Sequence, residues 1–215
     1  MSHFSLFPLA WLKVNTRNLT TSNCRYTYLI LFIKFNVVYN SASLMFMVQP
    51  FGQVPAFQDD DITLFESRAI CRYIAEKYAN KGTTGLYGTN PLVKASIDQW
   101  LEAESQSFNP PSSILTFQLV FAPRMKLKQD EALIKQNEAK LVKVLDVYEN
   151  RLGSSRYLAG DEFTMADLSH LPNTQFLVEK TDRAELFTSR KNVGRWWTEI
   201  STRPSWKKVV EMQNV

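Results

Sequence analysis

The stretch Gln49–Phe57, which reads QPFGQVPAF, and the string ESRAI at 66–70 decide the fold predicted for this chain. Residues 54–58 form a short apolar run, and residues 62–65 form a second run of β-prone residues. The three consecutive acids between the runs are typical of a turn, so the pattern predicts an antiparallel hairpin. Pro55 cannot donate a ladder hydrogen bond, which places it at the start of a strand or in a special turn.

A helix is predicted directly after the hairpin. Glu66 and Ser67 supply an acid and a hydroxyl of the kind that begins helices. The residues that follow place apolar side chains at helical spacing: Ala69, Ile70, Tyr73, Ile74 and Tyr78.

From about Pro91 onward the chain is predicted to be all helix. The pair Pro110-Pro111 is expected to break or bend the first long helix of this region. Further on, four apolar residues recur at i, i+4, i+7 and i+11, which is one helix face: Leu141, Leu145, Tyr148 and Leu152.

The best local signal in this half is Thr164 followed three residues later by Asp167, an acid variant of the capping box. It predicts a buried helix that begins near Met165. Two last helices are expected over 193–200 and 204–212, with Pro204 suited to a first helical turn.

Composition excludes several classes of protein. The 215 residues carry a net charge of +4, and their basic residues are spread along the chain, so a nucleic-acid-binding stripe is not expected. The two cysteines and two histidines show no ligand spacing, which argues against a disulfide framework and against a metal site. The longest apolar stretch, residues 26–39, is too short and too interrupted to span a bilayer. These observations favour a cytosolic protein.

The two strings of the first paragraph together resemble the glutathione transferase family. The sequence YLAGDEFTMADL at 157–168 matches that family's C-terminal domain, and the ending WW at 196–197 with RPSW at 203–206 is similar to the plant phi class. The resemblance covers about residues 49–215. It implies an α/β plus all-α fold, with a partial thioredoxin-like domain followed by an all-helical domain, and it implies a homodimer.

Three segments are expected on this basis. Residues 1–44 form a divergent N-terminal segment, residues 45–82 the remaining thioredoxin-like, glutathione-binding domain, and residues 90–215 the all-helical C-terminal domain. Phe51 matches an aromatic residue which, in several related classes, inserts into the partner subunit; packing within its own loop is the alternative.

The resemblance also implies a binding site. Gln53 and Val54 match the residues that hold the tripeptide, and Pro55 matches the family's cis proline, which presents the backbone of Val54 to the ligand. Glu66 and Ser67 match the pair that receives the γ-glutamyl end. The alternative is that Ser67 only caps the helix and Glu66 only favours its first turn.

The N-terminal segment departs from the family pattern. Family members carry a Ser at the first strand-to-helix turn that activates the glutathione thiol, and residues 1–44 contain no recognisable counterpart. Thr21 and Ser22 are the weak catalytic candidates, because they precede a basic residue and an apolar run. Lys34 is the nearest basic residue for the glycine carboxylate.

The function implied is conjugation of the glutathione thiolate to hydrophobic electrophiles, that is, detoxification. Glutathione serves as co-substrate, and neither a metal nor another cofactor is expected. The alternative is a non-catalytic protein of the same fold that binds glutathione or a hydrophobic ligand and dimerises. The missing thiol-activating hydroxyl favours the alternative, and the string from Gln53 to Ser67 favours glutathione binding.

Overall fold

The computed structural model describes residues 50–51 and 55–213 and divides the chain into two compact units. The first unit ends at Thr84 and also includes residues 208–213, and the second spans Gly85–Lys207. None of the helices in these described ranges is long and apolar enough to cross a membrane.

The first unit contains the predicted hairpin and helix. Strand β1 (Ala56–Asp59) pairs antiparallel with strand β2 (Ile62–Phe65), and helix α1 (Ser67–Lys77) follows. One detail of the prediction is wrong: Asp59 is the last residue of β1, so the turn has two residues rather than three. Asp60 makes this tight reversal possible with a positive φ of 50°, a conformation that short polar side chains tolerate.

The core of this unit comes from β1 and α1. Ala56 and Phe57 are buried on the hairpin, and Ile70, Cys71 and Ile74 are buried on α1. Cys71 is thus a small core residue.

In the described residues of the second unit, all regular elements are helices. Its first helical run extends without interruption from Pro91 to Arg124, and its longest helix carries the four-residue apolar stripe on its buried face. The elements are α2 (Pro91–Ala103), a π-helical stretch (Glu104–Phe108), α3 (Asn109–Thr116), a second π-helical stretch (Phe117–Phe121), α4 (Ala122–Arg124), α5 (Glu131–Ser154), α6 (Met165–Leu168), α7 (Leu171–Glu179), α8 (Glu185–Thr188) and α9 (Lys191–Ser201). Helix α10 (Pro204–Gln213) ends the described chain, and its residues 208–213 belong to the first unit.

The proline pair at 110–111 does not break the helical run. A π-helical stretch ends two residues before Pro110, and a second one ends two residues before Pro123. Proline lacks the N–H of the helical ladder, and its ring clashes with the carbonyl four residues earlier. A π turn widens the helix at that place, so the helix continues past each proline.

An aromatic cluster fills the centre of the helical unit. The ring of the buried His170 lies 4.6 Å from that of Phe108 and 5.3 Å from those of Tyr148 and Trp196, measured between centroids. Its Nδ1 faces the carbonyl of Ala166 at 2.7 Å and therefore carries the proton. Its Nε2 then accepts a hydrogen bond from the Tyr148 hydroxyl at 2.9 Å. His170 is a hydrogen-bonded core residue.

The capping box at α6 is confirmed. The Thr164 hydroxyl accepts from the N–H of Ala166, and the Asp167 carboxylate accepts from the N–H of Thr164 at 3.0 Å. Thr164 and every residue of α6 are buried, as predicted.

Candidate functional site

The hairpin register places Pro55, Glu66 and Ser67, the predicted site residues that the structure describes, at one end of the hairpin. The outermost pair joins Ala56 of β1 to Phe65 of β2. Pro55 and Glu66 are each the next residue beyond that pair, so they lie at the same open end, and Ser67 begins the helix there. Pro55, which has no N–H to donate, is buried and stands outside the ladder, as predicted.

Glu66 connects strand to helix through an unusual backbone conformation. Its φ of 67° and ψ of 110° lie outside the regions that residues with a side chain prefer. Such a conformation costs on the order of 1–3 kcal/mol and persists where surrounding structure enforces it, often at a ligand site. The side chain of Glu66 is exposed and makes no capping hydrogen bond, so its carboxylate is not used to begin the helix.

Ser67 is the first residue inside α1, and Glu66 occupies the N-cap position. The interpretation of Ser67 as the helix cap is therefore wrong. The first intrahelical bond runs from the N–H of Ile70 to the carbonyl of Glu66. The N-terminus of a helix carries a partial positive charge and N–H groups that suit a carboxylate. Ser67 is half-buried at this end.

A carboxylate ties the far ends of the hairpin and of α1 together. Asp59, 2% exposed, accepts hydrogen bonds from the Tyr73 hydroxyl at 2.8 Å and from the Lys77 ammonium group. Burial raises the pKa of Asp59, but the bonds from Lys77 and Tyr73 and the charge of Lys77 outweigh it and leave the pKa lowered. Hydrogen bonding to Asp59 raises the pKa of Lys77 in turn.

The bonds from Tyr73 and Lys77 to Asp59 are called the clamp below. Sequence reasoning missed the clamp because it assigned Asp59 to the turn. The signal was present in the i, i+4 spacing of Tyr73 and Lys77, which puts a hydroxyl and a cation on one face of α1. The clamp joins the last residue of β1 to the last two turns of α1.

Several predicted residues lie outside the described part of the chain: Thr21, Ser22, Lys34, Gln53 and Val54. Phe51 is described; it is 69% exposed, and its ring meets that of Phe65 edge-on at 6.1 Å. Within the described residues, no group of three His, Cys, Asp or Glu side chains is placed to hold a metal ion.

Five apolar residues of the helical unit are of interest for an electrophile pocket, and their burial separates them into two groups. Phe108 and Leu115 are fully buried and belong to the core of the helical unit. Trp100, Phe117 and Phe176 are partly exposed.

Comparison with known proteins decides the family. Residues 22–76 match the family model of the glutathione S-transferase N-terminal domain, and residues 108–204 match that of the C-terminal domain. The chain is 51% identical over 164 residues to "Glutathione S-transferase F11" of Arabidopsis thaliana, a match that covers 76% of each chain. The chain belongs to the glutathione S-transferase family.

Solved structures of other glutathione transferases agree with this assignment. The crystal structure of glutathione transferase F2 from Populus trichocarpa is 70% identical, covers 79% of each chain and superposes with a TM-score of 0.77. Glutathione S-transferase I from mais (maize), solved with an atrazine glutathione conjugate, is 32% identical and covers 88% of this chain and 92% of its own, with a TM-score of 0.75.

The relatives place this glutathione S-transferase in the plant phi class, as the resemblance predicted. Its fold is that of the family: a thioredoxin-like N-terminal domain with a small sheet, followed by a helical C-terminal domain. The match to the N-terminal domain model begins at Ser22. The resemblance carried by the quoted motifs begins only at Gln49.

Proposed function

We propose that this glutathione S-transferase joins the glutathione thiolate to hydrophobic electrophiles, as a cytosolic homodimer that needs no cofactor besides its co-substrate. The observation that carries the proposal is the meeting of Pro55, Glu66 and the start of α1 at one end of the hairpin. The maize relative solved with an atrazine conjugate supports a hydrophobic electrophile.

Each residue has a separate part in binding. The N-terminus of α1 and the hydroxyl of Ser67 receive the γ-glutamyl carboxylate, because both offer donors to an anion. The exposed carboxylate of Glu66 pairs with the ammonium group next to it. Gln53 and the backbone of Val54, held by Pro55, bind the cysteinyl part as a neighbouring strand would.

The chemical step needs the thiolate, since a free thiol of pKa about 8.5 is ionised only to a few per cent at neutral pH. A hydroxyl that donates to the sulfur stabilises the thiolate, which then attacks the electrophilic carbon while the leaving group departs. Thr21 and Ser22 are the proposed sources of that hydroxyl. Phe51, exposed on its loop, is the proposed contact with the partner subunit.

Calorimetric titration of glutathione tests the binding site. Ser67→Ala should weaken glutathione binding roughly tenfold or more, because a hydrogen bond to a charged group is lost. Ser154→Ala is the matched control, since Ser154 is an exposed serine at the end of α5 whose hydroxyl bonds only within its own helix. Equal affinity in both variants would refute the site.

A conjugation assay with a chloronitrobenzene substrate tests the reaction separately. Turnover that is lost in Ser22→Ala, with glutathione binding intact, would assign thiol activation to Ser22, and the same result in Thr21→Ala would assign it to Thr21. Binding of glutathione by the unmodified protein without any turnover would instead select the non-catalytic alternative.

A further inference from the structure

An exposed loop of alternating basic and apolar residues lies between the first helical run and α5. All five residues from Arg124 to Lys128 are exposed, and they read RMKLK. Among them Met125 is 41% and Leu127 is 49% exposed, so both apolar side chains are in contact with solvent. In the sequence each of them has a basic residue on either side. This stretch is called the basic–apolar loop below.

Backbone bonds hold the basic–apolar loop in a fixed conformation. The N–H of Lys126 donates to the carbonyl of Pro123 at 3.0 Å, and that of Leu127 donates to the carbonyl of Ala122 at 2.8 Å. With Lys126 at a φ of 58°, this is the Schellman arrangement that ends a helix. Because the loop is already ordered, its side chains can meet a surface without a large loss of backbone entropy.

The positive charge of the loop is not neutralised by neighbouring acids. Within the described residues, none of Arg124, Lys126 and Lys128 forms an ion pair. The nearest acid along the chain, Asp130, accepts a hydrogen bond from the N–H of Leu133 and so caps α5. Its negative charge is thereby engaged by the positive end of that helix.

We propose that the basic–apolar loop docks on the surface of a bilayer that contains anionic lipid. The three cations contact lipid phosphates, while Met125 and Leu127 enter between the headgroups, as apolar side chains do in interfacial anchors. A bilayer fits both features at once. A nucleic acid would pair with the cations but would leave the two aliphatic side chains in water, and the loop has no aromatic residue on which a base could stack.

The expected strength is modest and depends on salt. Each cation near an anionic surface contributes about fivefold to binding, equivalent to about 1 kcal/mol. Three cations therefore favour the anionic surface over a neutral one by roughly 100-fold. The preference should weaken as the screening length falls from about 8 Å at physiological salt to about 3 Å at 1 M.

Flotation of the full-length protein with lipid vesicles tests the proposal. Vesicles of phosphatidylcholine with roughly one third phosphatidylserine should carry the protein up the gradient at low salt, and pure phosphatidylcholine vesicles should not. The double variant Lys126→Gln/Lys128→Gln should lose about 25-fold in binding. The pair Met125→Ser/Leu127→Ser should also weaken binding while keeping its salt dependence. Circular dichroism confirms that each variant is folded.

The matched control is Lys140→Gln/Lys143→Gln, which removes the same charge from two exposed lysines on α5. If this control loses as much binding as the loop variant, net charge and not the loop holds the protein on the vesicle, and the proposal is overturned. It is also overturned if the serine pair leaves binding unchanged, or if a double-stranded DNA oligonucleotide competes the protein away from the vesicles in a loop-dependent way.

Discussion

Replacement of Asp167 by alanine should be among the most destabilising single changes in the helical unit. Its fully buried carboxylate accepts four hydrogen bonds. Oδ1 receives the N–H of Leu158 at 3.0 Å and the indole Nε1 of Trp196 at 2.9 Å, and Oδ2 receives the N–H and, more distantly, the hydroxyl of Thr164. The side chain therefore joins three segments that are separate in sequence.

The size of the effect follows from the donors left behind. Each buried N–H without an acceptor costs about 1–3 kcal/mol, and alanine leaves three of them. Partial relaxation around the cavity lowers the sum, so we expect a loss of roughly 3–5 kcal/mol in the free energy of unfolding. This is a large part of the total stability of a typical domain, about 5–15 kcal/mol.

Asp167→Asn should cost less than Asp167→Ala. The amide oxygen can still accept from Leu158 and Trp196, while its NH₂ group faces the N–H of Thr164 without an acceptor. Burial raises the pKa of Asp167 despite the four opposing hydrogen bonds, so the ionised carboxylate is held at a cost that the neutral amide avoids. A loss of about 1–3 kcal/mol is expected.

Urea unfolding followed by circular dichroism measures these changes. With a slope of about 2 kcal/mol per molar, Asp167→Ala should lower the midpoint by roughly 1.5–2.5 M. Asp161→Ala is the control, because Asp161 is exposed and accepts a single bond of 3.3 Å from the N–H of Arg156; it should change stability by about 0.5 kcal/mol or less. The reasoning is refuted if the two alanine variants unfold at the same urea concentration, or if asparagine costs more than alanine.

Three further predictions concern the clamp and the chain reversals. Because the pKa of Asp59 is lowered, its ionised carboxylate stabilises the fold fully above the ordinary pKa of 3.8, and this stabilisation is lost as pH falls through the lowered pKa. In an acid titration, Asp59→Asn should not show this loss of stability, whereas the control Asp61→Asn should show it. Lys126→Gly should raise the free energy of unfolding by about 0.5–1 kcal/mol, because glycine adopts the positive φ without steric cost; an unchanged urea midpoint would contradict this. Gly88→Ala should cost more than Gly85→Ala, since both have positive φ but only at Gly88 does the new Cβ meet another side chain, at 2.9 Å; each cost is about 1 kcal/mol or more, and equal melting temperatures would rule out the steric explanation.

Local pattern in the sequence predicted the elements whose interactions span only a few residues. The capping box at Thr164, the apolar face of α5 and the hairpin after Pro55 all depend on contacts between near neighbours. Hydrogen bonds and side-chain periodicity at that range are fixed by the residues themselves. Recognition of the family then supplied the roles proposed for the residues around Ser67.

In two places packing decided what local pattern could not. The prolines at 110–111 were expected to break or bend a helix; they do not break it, since α3 continues past them and packs against both α5 and α7. The π-helical stretch before Pro110 is a response to that packing: the surrounding helices hold the run together, and the backbone widens where the proline requires it. Asp59 was assigned to the turn because nothing nearby in sequence showed its bonds to α1.

The sequence by itself therefore determined that a hairpin is followed by helices, which faces of these elements are apolar and which family signature the chain carries. Only the tertiary structure decided that Asp59 binds Lys77, that Asp167 reaches the indole of Trp196 and that Glu66 takes its unusual backbone conformation. The physical reason is separation along the chain. Propensity and periodicity act over a few residues, whereas Lys77 lies 18 residues from Asp59 and Trp196 lies 29 residues from Asp167. Only the packing of whole elements brings these partners within hydrogen-bond reach.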